Sequence, residues 1–266
     1  MTLIAPLTCA FTALCLTGQL CPNEYSCPNH CSCFCDENEN IVVCKNEIPR
    51  IIHEKYRTFA LQDIKTPKRL LRYSLLDMEN FVADNINFDS TLSGQKFQIN
   101  SNYLTIVNST LKAIFGFIEF KTENIYGVYV KGYCRLCEKL SRNIIDQLAS
   151  KKTRSISFIE VGMKTVDDYT FASLSSLESL VLRRNSISQF SPCWFGCESV
   201  TKLKYLDLSY NKISIFKIDY FTYFPSLARL KLNGNGLRTV SWSNASAPIF
   251  RQLQEFSIAS MTFEYF

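Results

Sequence analysis

The feature that most constrains this chain is a phrase that returns near its C-terminal end. Leu177-x-x-Leu180-x-Leu182-x-x-Asn185-x-Ile187-x-x-Phe190 comes back as Leu203-x-x-Leu206-x-Leu208-x-x-Asn211-x-Ile213-x-x-Phe216, and again as Leu227-x-x-Leu230-x-Leu232-x-x-Asn235-x-Leu237-x-x-Val240. The asparagines stand 26 and then 24 residues apart, a period that marks a stacked-repeat solenoid rather than a closed globule. Leu-x-Leu among β-branched and aromatic neighbours has the period of a strand, not the 3.6 of an amphipathic helix. One such strand cannot bury its leucines alone. Stacked on the next, it makes a parallel sheet over a continuous apolar core. The asparagine is expected to turn inward, where its amide can pair backbone groups that a tight turn leaves unbonded.

The pattern extends outward with decay. Downstream, Leu253-x-x-Phe256-x-Ile258 begins a fourth copy with Met261 in the asparagine slot. Upstream, Ile156-x-Phe158 begins another with Val161 in that slot. Phe97-x-Ile99-x-x-Asn102-x-Leu104 fits well, Ile118-x-Phe120-x-x-Glu123 weakly, Phe59-x-Leu61 starts the stack, and a degenerate copy around Leu75–Phe81 fills the gap. These residues resemble the leucine-rich repeat family, whose consensus L-x-x-L-x-L-x-x-N-x-L the clear copies match position by position. The resemblance implies a leucine-rich repeat horseshoe, an α/β-type solenoid with a parallel concave β-sheet and an irregular or short-helical convex side. Phe171, Phe195 and Phe221 stand where the extracellular subclass places convex aromatics. The expected organisation is a signal peptide at 1–18, a cysteine-rich cap at 19–55 and about eight repeats over 56–266, irregular between 105 and 155 and uncapped at the C-terminus.

Residues 2–20 carry no charge and hold an apolar run from Leu3 to Leu16, the length of a signal-peptide core and short for a membrane span. No basic n-region precedes it, and an uncleaved anchor is the alternative. Cleavage near Gly18 would start the mature chain around Gln19. Directly after come Cys27-Pro28-x-x-Cys31-x-Cys33, Val43-Cys44 and Ile48-Pro49, an order similar to the N-terminal cap of extracellular leucine-rich repeat proteins. A cap covers the apolar end and open sheet edge of the first repeat. The resemblance implies Cys27–Cys33 and Cys31–Cys44 pairs; sequence alone leaves connectivity open. Cys21 and Cys35 depart from the four-cysteine pattern and can pair with each other. Clustered cysteines behind an apolar leader argue an oxidising compartment. There Cys193/Cys197 reads as a local disulfide and Cys134/Cys137 as a disulfide or structural pair. The sharper alternatives for Cys134/Cys137, a redox Cys-x-x-Cys or half a zinc site, lack the βαβ context and the further ligands they need.

A net charge of +5, from 29 basic and 24 acidic residues, is too small and scattered for a nucleic-acid partner. Lys151-Lys152-x-Arg154 and Arg183-Arg184 read as solvated face. Gly234-x-Gly236 is a repeat turn, not a phosphate loop. The only two histidines, His30 and His53, lie in or beside the cap, and Asp167-Asp168 falls in a loop, so no catalytic residues, metal or cofactor are expected. Asn108-Ser-Thr and Asn244-Ala-Ser are glycosylation sequons outside the Leu-x-Leu core.

The expected function is a non-enzymatic secreted or cell-surface module that binds a protein ligand on its concave face. The residues between the leucines point there. Arg183, Tyr205, Asp207, Arg229, Lys231, Asn233 and Glu255 are the candidate contacts, because aromatic and Arg anchors dominate protein recognition. The array stops at Phe266 without a polar capping repeat. That implies either the N-terminal part of a longer receptor ectodomain, with membrane contact only through that extension, or an end closed by a partner or second copy. A structural matrix or adhesion component and a thiol-redox protein using Cys134/Cys137 are the alternatives.

Overall fold

The computed structural model describes residues 19–20, 31–35, 40–46, 56–64, 76–87, 96–132, 134, 137–197, 200, 202–241 and 252–259. The leader at 1–18, Cys21, Cys27, Asn244, Met261 and Phe266 lie outside them.

Strands follow one another as the repeat requires. They are β1 (Gln19–Leu20), β2 (Cys31–Cys35), β3 (Asn40–Lys45), β4 (Thr58–Gln62), β5 (Leu76–Asp84), β6 (Phe97–Val107), β7 (Ile118–Lys121) and β8 (Gly127–Lys131). Then come β9 (Lys139–Leu140), β10 (Ser155–Ile159), β11 (Thr165–Val166), β12 (Ser179–Val181), β13 (Tyr205–Asp207), β14 (Ile215–Lys217), β15 (Arg229–Lys231), β16 (Thr239–Ser241) and β17 (Glu255–Ser257). One sheet runs through β1 to β6, then β8, β10, β12, β13, β15 and β17, with β7 joined to β6. From β3 onward every pairing in it is parallel. The fold is a leucine-rich repeat solenoid.

The first inward residue of each rung stacks on the next: Phe59, Phe81, Leu104, Val128, Ile156, Leu180, Leu206, Leu230 and Phe256 are lateral neighbours, 22 to 28 residues apart. All but Phe256 are buried. The opposite side is closed by short elements, α1 (Leu111–Phe117), α2 (Arg142–Leu148) and 3-10 turns. Phe171, Phe195 and Phe221 are buried there in an aromatic spine, with Phe195 ring centroids 5.4 Å from Phe171 and 5.1 Å from Phe224.

The asparagines tie rung to rung. Asn211 donates to the carbonyls of Leu182 (2.8 Å) and Leu208 (2.9 Å) and accepts from the Ile187 amide at 3.1 Å. Asn185 and Asn235 repeat the arrangement one rung either side. Each amide therefore satisfies backbone groups of its own repeat and the one before, groups that no water reaches in this core.

Two expected registers differ. Phe97 and Ile99 pair with Ile118 and Phe120 of β7, and the rung residues of β6 are Leu104 and Ile106. Asn102 is accordingly not in the asparagine slot. Ser109 is, and its hydroxyl accepts from the Ile86 amide (2.9 Å) while donating to the Val107 carbonyl. The cause is a corner recurring at the head of most rungs, where two consecutive amides share one carbonyl. Glu79 and Asn80 both donate to Arg57, and Lys204 and Tyr205 both to Glu178. In β6 the strand runs through this corner, so apolar alternation continues with its parity switched and the sequence shows two equally good frames. The copy beginning at Ile118 is likewise displaced: the rung is Val128-x-Val130, and the 28 residues from Val128 to Ile156 carry the Cys134–Cys137 disulfide and α2.

At the N-terminal end β2 and β3 form an antiparallel pair bridged by the Cys31–Cys44 disulfide. Cys33 is also disulfide-bonded, and Tyr56 donates its hydroxyl to the Cys33 sulfur at 3.1 Å. Cys193 and Cys197 are joined.

Replacing Asn211 with Ala strands one amide and two carbonyls in the core, each costing about 1–3 kcal/mol. Urea unfolding should show a loss of about 3 kcal/mol, against less than about 0.5 kcal/mol for exposed Lys212→Ala. Equal stability of the two variants would contradict the role given to the asparagine.

Candidate ligand-binding face

The rungs from β12 onward are three residues long, so each offers few outward positions and neighbouring rungs must build any site together. Two rows result. Ser179, Tyr205, Arg229 and Glu255 lie side by side, and Val181, Asp207, Lys231 and Ser257 form the next row. Arg183, Ser209 and Asn233 follow just beyond the strands.

Of the expected contact residues, Arg183, Tyr205, Arg229, Lys231, Asn233 and Glu255 are half-buried and reach the surface. Asp207 does not. It is 5% exposed, takes the Tyr205 hydroxyl at 3.2 Å and the Ser209 amide at 2.9 Å, and is bonded by the Ser209 hydroxyl as well. Its charge is spent on holding Tyr205 and the Ser209 turn. Asn233 is also engaged, accepting from the Ser257 hydroxyl at 2.7 Å and the Ala259 amide at 2.8 Å. Lys231 pairs with Glu255 at 3.1 Å. The Arg229 guanidinium lies over the Tyr205 ring, 4.8 Å from its centroid.

A residue missed by sequence reasoning completes the surface. The position just before the asparagine slot takes a left-handed conformation in successive rungs, at Asp63, Asn85, Asn108, Gly132, Glu160, Arg184, Tyr210 and Gly234. At Tyr210 (φ 56°) this is a costly conformation for an aromatic residue. Its ring, 47% exposed, lies over Gly234, where a Cβ would come within 2.6 Å of a ring carbon. Arg183 and Arg184 stack on the same ring at 5.1 and 5.4 Å. Arg184 also bonds Glu160 at 2.8 Å, which holds the Glu160 carboxyl below its ordinary pKa. The glycines at 132 and 234, each preceding the asparagine slot, were the signal in the sequence that this position is left-handed.

The N-terminal part of the concave side differs. Ile41, Val43, Ala60 and Val82 face away from the main core yet form a second buried apolar cluster. Asn108 is exposed at a turn, beside Gly132. Cys134 and Cys137 are both fully buried. Among the described residues no group of His, Cys, Asp and Glu could hold a metal ion, and no helix is long and apolar enough to cross a membrane.

The Leucine Rich Repeat family matches residues 176–197 and 202–224. Those residues are the β12 and β13 rungs, so the matched repeats agree with the leucine-rich repeat fold that the stacked parallel rungs and inward asparagines show, and the N-terminal cysteine pairs are consistent with a cysteine-rich cap. Among solved structures it is similar to human 5T4 (Wnt-activated inhibitory factor 1, trophoblast glycoprotein), with a TM-score of 0.53 and 17% identity over 91% of this chain and 93% of that one. An internalin, InlF, from Listeria monocytogenes aligns at TM-score 0.41 and 17% identity, over 80% of this chain and 64% of that one. TLR13, solved as a complex with ssRNA13, aligns at 0.46 and 13%, over 87% and 45%. None of the curated proteins matches the sequence significantly.

Burial, then the Asp207 charge and hydrogen bond, push the Tyr205 phenol well above its ordinary pKa near 10. The fold therefore favours the protonated phenol. The stability this adds is full below pH 10 and drains away as pH climbs from there toward the raised value. Urea midpoints should fall less steeply above pH 10 in Tyr205→Phe than in the unaltered protein. Parallel curves would contradict this environment for Tyr205.

Proposed function

We propose that this chain is a non-enzymatic protein-binding module of the extracellular space or cell surface that takes a protein ligand on its concave sheet between β10 and β17. In this reading 1–18 is a cleaved leader, 19–55 the cap and 56–266 the repeat array. The observation that carries it is the half-exposed group of Tyr205 and Arg229 in one row and Lys231 in the next, with Arg183 just beyond its strand. Large side chains are held there by stacking and hydrogen bonds that leave their outer edges to solvent. Recognition surfaces are built from such rigid aromatic and Arg anchors. The disulfides support an oxidising compartment. Thiol exchange at Cys134–Cys137 has no such support: both sulfurs are buried, and α2 starts only at Arg142, well past the pair.

The test is secretion followed by a glycan wedge. The tagged chain, expressed in animal cells, should enter the medium with its cysteines protected from alkylation and with an N-glycan lost in Asn108→Gln. As a tetramer it should bind a member of an arrayed set of extracellular protein domains. Ser179→Asn with Val181→Thr creates a glycosylation sequon on β12 and should abolish that binding. Gln189→Asn creates one with Ser191, beyond the strand, and should preserve it. Retention in the cytosol with reactive thiols, or binding indifferent to the β12 glycan, would overturn the proposal.

A further inference from the structure

Among the basic residues of this face, most are neutralised within it. Arg184 bonds Glu160 at 2.8 Å, Lys231 pairs Glu255 at 3.1 Å, and Lys204 pairs Glu178 at 2.9 Å. Arg183 and Arg229 are different. Neither has an ion-pair partner among the described residues; each is held instead by an aromatic ring, Tyr210 at 5.1 Å and Tyr205 at 4.8 Å. Of the neighbouring acids, Glu160 bonds Arg184 and Glu255 pairs with Lys231, while Asp207 is buried and takes three hydrogen bonds from Tyr205 and Ser209. The Arg183 Nε is buried with no acceptor at all. A guanidinium stacked on a ring keeps its planar fork in one orientation while its outer N–H groups stay unpaired, the state that a carboxylate meets with two parallel hydrogen bonds.

The support beneath these cations is costly and specific. Tyr210 adopts a left-handed backbone, with its ring laid on Gly234 in space that a Cβ would fill. Such strain persists where the surroundings enforce it and concentrates at functional positions. The rung needs the left-handed backbone but not the ring, since Gly234 takes the same conformation in the same slot of the next repeat without a side chain. The strain at Tyr210 goes with an exposed ring that orders two arginines.

Resting on the protein-binding reading above, we propose that Arg183 and Arg229, seated on Tyr210 and Tyr205, form a two-pronged receptor for carboxylates in an acidic segment of the protein ligand. The two arginines belong to alternate rungs of one stacked face, with the Tyr205–Asp207 strand between them, so the segment must present acidic side chains at two separate points. The complementarity is local. Among the described residues of the β12, β13, β15 and β17 rungs, Lys231 and Lys204 are ion-paired while Arg183 and Arg229 are not, so on these rungs the unneutralised charge is concentrated at the two arginines.

The probe is a biotinylated octa-glutamate peptide, measured by interferometry on the intact secreted chain, with a heparin octasaccharide as second probe. We expect the peptide to bind at low salt, weaken as salt rises, and lose about tenfold or more in affinity in Arg183→Gln and in Arg229→Gln. Arg183→Lys, which keeps the charge but not the fork, should fall between. Exposed Lys212→Gln, away from the pair, should be unchanged. Thermal midpoints within a few degrees of the unaltered protein confirm that the variants are folded, and Tyr210→Leu gives an independent route because it removes the seat and leaves both charges. Peptide affinity equal in all variants would overturn the proposal, as would binding of the heparin fragment alone. Either result leaves the concave protein site standing if the β12 glycan still blocks the protein ligand, so the two readings fail separately.

Discussion

The structure depends on hydrogen bonds made by the inward asparagines. A strand of three residues has too little backbone to hold its neighbours by ladder bonds alone. Asn185, Asn211 and Asn235 add bonds that cross from one rung to the next, satisfying carbonyls such as Leu182 and Leu208 together. Where the slot holds Ser109, the smaller hydroxyl still joins two rungs through Ile86 and Val107. Where it holds Ile64, Ile86 or Val161, burial of the apolar side chain takes over, and these rungs belong to longer strands with more ladder bonds of their own. Short strands and asparagines therefore go together. The part of the array that is most regular in sequence is also the part with least sheet.

That economy shapes the surface. β12, β13 and β15 end after three residues, the chain passes through a left-handed position three residues further on, and the residue there stands on the rim of the concave face. Two such positions are glycine and several are Asn or Asp, which tolerate this backbone. Glu160, Arg184 and Tyr210 depart from that rule, and Tyr210 is the aromatic one. Its ring ties the rim to the face by ordering Arg183 beside it.

Much of the fold was legible in the leucine phrase, because Leu-x-Leu and the asparagine each report a physical requirement with a fixed spacing. The frame of β6 was not, since the corner before its rung shifts parity by one residue and both Ile99 and Leu104 end up buried. Val128-x-Val130 went unrecognised because its strand is bounded by Gly127 and Gly132 rather than leucine. For the face, sequence order was enough to name Tyr205 and Arg229 as neighbours. It could not show that Asp207 is buried under Tyr205, nor that Tyr210 reaches back to Arg183, because both facts depend on side chains packed between rungs.

Hydrogen exchange read at single amides tests the central claim that inward asparagines couple the rungs. The amides of Val161, Met163, Ile187 and Ile213 are bonded to asparagine side chains rather than to a strand ladder. They should exchange as slowly as the ladder amides of Leu182 and Leu208, through one cooperative opening. Exchange of these four at solvent-exposed rates, while the ladder amides stay protected, would contradict it.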